Sequence, residues 1–488
     1  MTEALVIAML AVPVLAAAVL ALPGARGVAD RVNRAAAIVV AGLALAVAAP
    51  QVAAGGPTAG SWWVVDPAGA VFLAVIAVIG LLSALASPAH LAGGGRGFVA
   101  VRHAGGFYYA AFHLFWAALL AVAVVDNLAV AWLLIEATTA ASALLVASSG
   151  RPSALEAGWK YLVLTTLGLG VALLGIIVLY AGLGRGHGAL GTLDWPAIHD
   201  LAAGLDPGAG LLALVLILGG LATKIGWAPV HSWLPDAHSE APPPVSAMLS
   251  AALLPTVMLV AWRVQLALQP ATDGTSSALL LGFGLASLAV AVPFLWSALP
   301  LKRLLAYSSL EHMGVLALGM GFVSPLATAG VVVHVAGHAL AKALGFYAAA
   351  PLLRADPGLS GRPARALASA SPQGAVAVAV ALLSLSGLPP SPLFFSELLI
   401  LLGGLAAGQT AVVVAAALLL ALGFLGLVHA LIEGIVSERP AVSRHGRRPE
   451  RGLVAVTAVV VVLLVALSGA AYLLPGSDVV GRLMGGVA

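Results

Sequence analysis

The chain has 488 residues, 61% hydrophobic and only 8% charged, with 22 Lys+Arg against 19 Asp+Glu. A soluble domain is about one quarter charged, so a cytosolic enzyme, a nucleic-acid binder and a disordered chain are all excluded. The net charge of +3 rests on too few groups to indicate an anionic partner, and the lack of cysteine excludes disulfides, iron–sulfur ligation and thiolate metal sites within the chain.

A membrane-spanning helix needs about 20 apolar residues. In chain order, such runs occupy 4–22, 35–53, 68–87, 107–125, 128–148, 160–182, 209–226, 244–266, 277–298, 304–323, 327–352, 374–403, 410–432 and 452–474. None alternates polar with apolar at the roughly ten-residue length of a barrel strand, so the expected fold is an all-α polytopic membrane protein with fourteen spans. The first run lacks a basic leader and is long enough to remain in the membrane, so no cleavable signal peptide is expected. With both termini placed outside, seventeen of the 22 basic residues fall on the cytoplasmic side. Arg185, Arg263 and Arg482 fall opposite, and Lys224 and Lys342 stay within spans. That bias is what the positive-inside rule requires of a correct count, and it predicts a multi-pass protein of the cell inner or plasma membrane with both termini extracytoplasmic. The polar stretches 88–106, 184–207 and 433–451 read as loops. The second, with His187, Asp194, His199, Asp200 and Asp206, reads as exposed; the third, basic from Arg439 to Arg451, is expected to meet lipid headgroups or a partner subunit.

Ionisable residues at mid-membrane cost at least ~2.5–3.5 kcal/mol at a helix centre, so those that persist pair with each other or carry ions. Glu136 lies in the fifth span, Lys224 closes the seventh, His334, His338 and Lys342 lie in the eleventh, and Glu397 in the second half of the twelfth. Positions 334, 338 and 342 form a ladder drifting about 40° and rising about 6 Å per step. Histidine changes charge near neutrality, so a proton relay is the reading of this ladder. Structural hydrogen bonding is the second reading, and a metal site the weaker third, since no Asp, Glu or Cys stands nearby in sequence to complete it; no metal ligand is assigned. Glu136 and Lys224 are read either as a buried ion pair or as a gate in which Glu136 modulates the proton affinity of Lys224 from the adjacent helix.

Helix breakers recur twice, from Ala228-Pro229 through Pro242-Pro243-Pro244 and in Ser386-Gly387-Leu388-Pro389-Pro390-Ser391-Pro392. Broken hydrophobic segments at corresponding places in two halves point to an inverted-repeat transporter site. Spans 4–8 and 9–13 are therefore expected to form inverted five-helix repeats with two broken helices. This divides the chain into an N-terminal unit (1–106), the two repeats (107–266 and 267–433), and a basic loop with the last helix (434–488).

The run from Lys224 to Ser250, K-I-G-W-A-P-V-H-S-W-L-P-D-A-H-S-E-A-P-P-P-V-S-A-M-L-S, resembles the proton-conducting, antiporter-like membrane subunits of respiratory complex I, Mrp antiporters and group 4 hydrogenases. So do Leu301-Lys302-Arg303-Leu304-Leu305-Ala306-Tyr307-Ser308-Ser309 with Glu311-His312-Met313-Gly314, His334-x3-His338-x-Leu340-x-Lys342, and Gly387-Leu388-Pro389-Pro390 with Phe394-Phe395-Ser396-Glu397. Pro235-Asp236-Ala237-His238-Ser239-Glu240-Ala241-Pro242 and Ser308-Ser309-Leu310-Glu311-His312-Met313-Gly314 resemble hydrogenase-4 component F in particular. The resemblance implies a proton pathway through Glu136, Lys224, His231, His334, His338, Lys342 and Glu397, supported by Ser250, Lys302, Glu311 and His312. It implies no catalytic residue and no cofactor in this chain; [NiFe] or iron–sulfur centres and quinone belong to partner subunits. The implied partners are other membrane subunits, homologous antiporter-like chains among them, and a peripheral hydrogenase or dehydrogenase arm, within the lipid bilayer and without nucleic acid. Ser250 to Pro255 lacks the titratable residue that many members carry there, so water bridged by Ser250 or His231 is expected to close that gap. A cation/proton antiporter subunit of the Mrp type is the alternative; a solute permease and a structural scaffold are less favoured.

Overall fold

The computed structural model of the chain describes residues 2–22, 27–54, 56–92, 104–184, 193–272, 274–437 and 451–473. In order, its elements are α1 (Thr2–Ala21), α2 (Ala29–Ala54), β1 (Thr58–Ala59), β2 (Val64–Val65), α3 (Pro67–Ala92), α4 (Ala104–Val124), α5 (Leu128–Val146), α6 (Pro152–Leu183), α7 (Trp195–Ala202), α8 (Pro207–Ile225) and α9 (Trp233–Glu240). They continue with α10 (Pro243–Met248), a π-turn (Leu249–Leu253), α11 (Leu254–Leu268), α12 (Thr275–Leu295), α13 (Leu301–Gly321), α14 (Pro325–Ala355), α15 (Leu367–Ala370), α16 (Pro372–Leu385), α17 (Pro392–Ala406), α18 (Thr410–Val436) and α19 (Arg451–Leu473). The basic segment 439–450, His187 and the loop arginines Arg96, Arg102 and Arg185 lie outside the described residues.

Among the described residues, twelve helices are long and apolar enough to cross a membrane, with α10, the π-turn and α11 counting as one. Two further crossings match the remaining runs. The helix α13 is 21 residues long but carries Lys302, Arg303 and Glu311, and the run at 374–403 is divided into α16 and α17. The chain is thus the polytopic helical protein that its composition predicts. Helix starts follow local chemistry: Asn127, Asp206, Ser324, Ser371 and Ser391 cap α5, α8, α14, α16 and α17 with side-chain oxygens that accept first-turn N–H groups.

The bundle is organised around α14, which packs on α3, α10, α13, α19 and both halves of the broken pair α16 and α17. It spans 31 residues, about 46 Å at the helical rise, and its middle is buried on all sides. Both breaks have the same construction. At the end of α8, Gly226 takes φ +79° and Trp227 N–H reaches back to Ala222 O; at the end of α16, Gly387 takes φ +70° and Leu388 N–H reaches Leu383 O. These are Schellman-type ends, in which an L side chain at the glycine position is strained. In each turn a cis proline, Pro229 or Pro390, follows three residues after the glycine.

The stretch 184–207 departs from its reading as a plain exposed loop. It contains α7, whose Trp195 and Ile198 are buried because an i,i+3 apolar pair gives a short helix one face to pack. Asn127 Nδ2 donates to Asp194 Oδ1 at 2.8 Å, tying this segment to the start of α5. Nearby, Arg263 on α11 donates to Asp66 Oδ2 at 2.8 Å, and both are almost fully buried. Breaking a buried pair from one side strands a charge at a cost of about 3–5 kcal/mol, whereas replacing both partners by apolar groups can be neutral. Asp66→Ala should therefore lower the detergent unfolding midpoint sharply, and Asp66→Leu with Arg263→Met should recover most of the loss. Equal destabilisation in the single and double variants would show that the pair is not what holds α11 to the start of α3.

Candidate functional site

Lys224 lies at the last turn of α8, beside the first break, and is fully buried. Its Nζ donates to Thr139 Oγ1 of α5 at 2.7 Å and to the Tyr161 hydroxyl of α6, and it lies 4.4 Å from the Tyr161 ring centroid. Tyr161 and Ser142 hydroxyls are 2.8 Å apart, and Ser142 donates to Thr138 O. With its lone pair taken by the ammonium, Tyr161 donates to Ser142, which donates in turn to the backbone. No Glu136–Lys224 contact within 4 Å forms among the described residues, so the direct ion pair is not present. Glu136 is half-buried and accepts from Thr166 Oγ1 at 3.3 Å, while Lys224 acts on it through space. The gating alternative thus retains its geometry and the locked pair does not.

Beyond Lys224, Trp233 Nε1 donates to Thr223 O at 2.6 Å and its ring lies against Tyr161, 4.7 Å between centroids. His238 of α9 lies next, 6.1 Å from Trp233 and 5.9 Å from Phe346 of α14; its Nδ1 donates to Leu234 O and its buried Nε2 has no partner. Lys302 joins α9 to α13, donating to Ser239 O at 2.7 Å and to Ala241 O. It lines a cavity of about 670 Å³ that also gathers Arg151, Arg303 and Arg354. His231, in the first break, lies by the Pro229 carbonyl.

Beside the stretch without a titratable residue, hydroxyls reach toward Lys342. Ser250, in the π-turn, sits 2.8 Å from Ser309 Oγ of α13. Ser309 donates to Leu305 O, and Lys342 Nζ donates to the same carbonyl at 2.6 Å and to Ser308 Oγ. Ser250 is thus linked to the Lys342 ammonium by three hydrogen bonds, the last two meeting at the Leu305 carbonyl, which accepts from both Ser309 and Lys342.

Around α14, His334 and His338 are not bonded to each other; their rings are 6.4 Å apart. Instead His312 of α13 joins them, with Nδ1 3.0 Å from His334 Nε2 and its ring 5.0 Å from that of His338. His334 Nδ1 is 2.9 Å from Ser396 Oγ, which donates to Leu393 O. The serine proton being committed, His334 donates from Nδ1 and accepts at Nε2 from His312 Nδ1–H. His312 also lies by the Leu385 carbonyl and His338 by the Ser250 carbonyl. Glu397 of α17 closes the cluster: a donor atom from each of His312, His334 and Glu397 lies within 4.8 Å of the other two. The carboxylate that sequence spacing does not place near the histidines is supplied by the fold. Glu311 is buried against α18, where a Cβ on Gly423 would meet its Oε1 at 1.9 Å.

The structure thus forms two groupings, Lys224 with Thr139, Tyr161 and Ser142, and Lys342 with Ser308 beside the His312–His334–Glu397 cluster. Tyr161, Thr139, His238, Ser308 and Ser396 are not singled out by sequence reasoning. The signal for Thr139 and Ser142 was their i,i+3 spacing on one face of an apolar span, and for Ser396 its place next to Glu397.

Gly387→Ala pays the left-handed strain of about 1–2 kcal/mol and also places a Cβ 2.8 Å from Glu397 Oε2, whereas Gly408, at φ +75°, has open space around its missing Cβ. Thermal melts in detergent should therefore show a larger loss for Gly387→Ala than for Gly408→Ala. Equal losses would mean that Glu397 does not rest against the second break.

The sequence profile described as "NADH:quinone oxidoreductase/Mrp antiporter, TM" matches residues 125–423. A hydrogenase-4 component F homolog from Methylacidiphilum infernorum is 31% identical over 403 residues, covering 81% of this chain and 82% of the relative. A chain of the archaeal membrane-bound sulfane sulfur reductase is similar in structure with a TM-score of 0.84 at 20% identity, covering 99% of this chain and 97% of its own. A chain of the Mrp complex from Dietzia sp. DQ12-45-1b gives 0.82 at 22% identity, covering 99% and 96%. At those identities the two structures establish the fold.

Proposed function

The chain belongs to the NADH:quinone oxidoreductase/Mrp antiporter transmembrane family, and from that premise we propose that it is the proton-translocating subunit of a redox-driven complex of the group 4 [NiFe]-hydrogenase or formate hydrogenlyase type. In this reading [NiFe] or iron–sulfur centres and quinone chemistry reside on a peripheral arm and on neighbouring subunits, homologous antiporter-like chains included. The chain lies in the inner or plasma membrane with both termini extracytoplasmic. The assignment to hydrogenase is supported by the component F relative and by the two motifs around His238 and His312.

The observation that carries proton movement is that Lys224, Lys302 and Lys342 are all buried and all held by hydroxyl and carbonyl oxygens, with no carboxylate in contact among the described residues. An ammonium bound to a carboxylate strands that anion when it gives up its proton; one bound to neutral oxygens does not. Proton transfer is read as entering from the cavity at Lys302 and passing Lys224, with Glu136 biasing it. From there it is read as passing by His231, His338 and water bridged by Ser250 to Lys342 and the His312–His334–Glu397 cluster, because Ser309 and Lys342 both donate into the Leu305 carbonyl, which hands on no proton. The repeated turn at Gly226 and Gly387 supports the division into two inverted repeats at 107–266 and 267–433, with 1–106 and 434–488 outside them.

The Mrp-type reading, in which Na⁺ competes with H⁺, has one observation of its own. A second cavity of about 470 Å³ is lined by Asp66, Asp126, His199, Asp200 and Arg263, and carboxylates and carbonyls are the ligands hard cations prefer.

Lys224→Met in the intact complex should abolish proton uptake into inverted vesicles while subunit assembly is retained. Assembly with normal pumping would reject Lys224 as part of the conduit. Sodium-dependent antiport that continues without electron donor would move the assignment to the second reading.

A further inference from the structure

We propose that His312, His334 and Glu397 form a binding site for a divalent transition-metal ion of the Zn²⁺ class, and that its occupation stops ion passage at the centre of the bundle. The three side chains come from α13, α14 and α17; both histidines are buried and Glu397 is partly exposed. Two imidazole nitrogens bound to one tetrahedral ion, at metal–nitrogen distances of about 2.0–2.1 Å, stand about 3.3 Å apart. His312 Nδ1 and His334 Nε2 already stand 3.0 Å apart. A carboxylate oxygen of Glu397 is within 4.8 Å of one ring nitrogen of each histidine, so side-chain rotation is what would bring all three to one centre.

One further observation points to a ligand rather than to packing. His334 is oriented through its remote Nδ1 by Ser396, whose own proton is fixed on Leu393 O; this is the outer partner that a metal-bound imidazole ordinarily has. Two neutral nitrogens and a carboxylate, with a water in the fourth position, are a donor set suited to Zn²⁺ and Co²⁺. A bound dication would commit the lone pairs through which His312 and His334 hand on a proton, so it acts as a plug. That consequence rests on the proton-route reading; the binding itself does not.

The test is a Co²⁺ titration of the full-length chain in mild detergent, read by visible d–d absorption. The wild-type chain should give an intense band at one equivalent that Zn²⁺ displaces. His334→Gln and Glu397→Gln should lose it, and His338→Gln should keep it. Ser396→Ala, which leaves every ligand in place, should weaken binding by about 10–100-fold and serves where a ligand variant elutes as aggregate. Absence of a band in wild type, a band that survives both His334→Gln and Glu397→Gln, or one lost equally in His338→Gln would overturn the site. Zn²⁺ should also block proton uptake by the complex in vesicles, and binding without block would overturn the plug. Because the optical readout needs no turnover, failure of the proton reading would leave the band intact.

Discussion

Neutral oxygens around buried lysines are the arrangement on which the rest of this bundle depends. An ammonium in a low-dielectric interior requires partners, and a carboxylate in contact is the strongest available. Lys224 has instead a threonine and a tyrosine hydroxyl, Lys342 a serine hydroxyl and the Leu305 carbonyl, and Lys302 two carbonyls at the end of α9. The carboxylates that act on them, Glu136 on Lys224 and Glu311 on Lys342, do so from outside contact distance. Each lysine is thus solvated well enough to stay in the interior and held loosely enough for a modest movement of one carboxylate to change its balance.

The breaks supply the carbonyls at Lys302 and position the groups at His334, while α5, α6 and α13 supply the oxygens at Lys224 and Lys342. An unbroken helix uses its carbonyls internally, and only its ends leave them free. The Gly226 turn ends α8 directly after Lys224 and lets α9 return with Trp233 against Tyr161 and with Ser239 and Ala241 presenting carbonyls to Lys302. The Gly387 turn lets α17 restart so that Ser396 and Glu397 arrive side by side at His334. The π-turn at Leu249–Leu253 brings Ser250 to Ser309. Departures from regular α-helix coincide with the polar groups at all three places, as expected where irregular backbone at membrane depth must be enclosed by protein.

Composition and run length alone made the fold class and the number of crossings legible, and the cost of burying charge made Glu136, Lys224, His334, Lys342 and Glu397 conspicuous. What they touch was not legible. A uniformly apolar span carries no periodic signal for its rotation, so nothing in the sequence says that α6 turns Tyr161 toward α8 or that α13 turns His312 between His334 and His338. The ladder of 334, 338 and 342 is present as spacing, yet its hydrogen bonds leave α14 sideways, to α13 and α17. The absence of a carboxylate near the histidines held only along the chain; Glu397 lies beyond a break and arrives through the fold.

The stretch from Ser250 to Pro255 carries no titratable side chain, and what Ser250 supplies there differs in kind from one. A lysine or histidine can hold a proton between steps, while a hydroxyl can only accept one proton as it gives up another. The charge-holding groups nearest this stretch come from other elements: His338 of α14, beside the Ser250 carbonyl, and His238 of α9, between Trp233 and Phe346. A proton resting between the Lys224 and Lys342 groupings would therefore sit on a ring that α9 or α14 supplies, and not on the stretch itself.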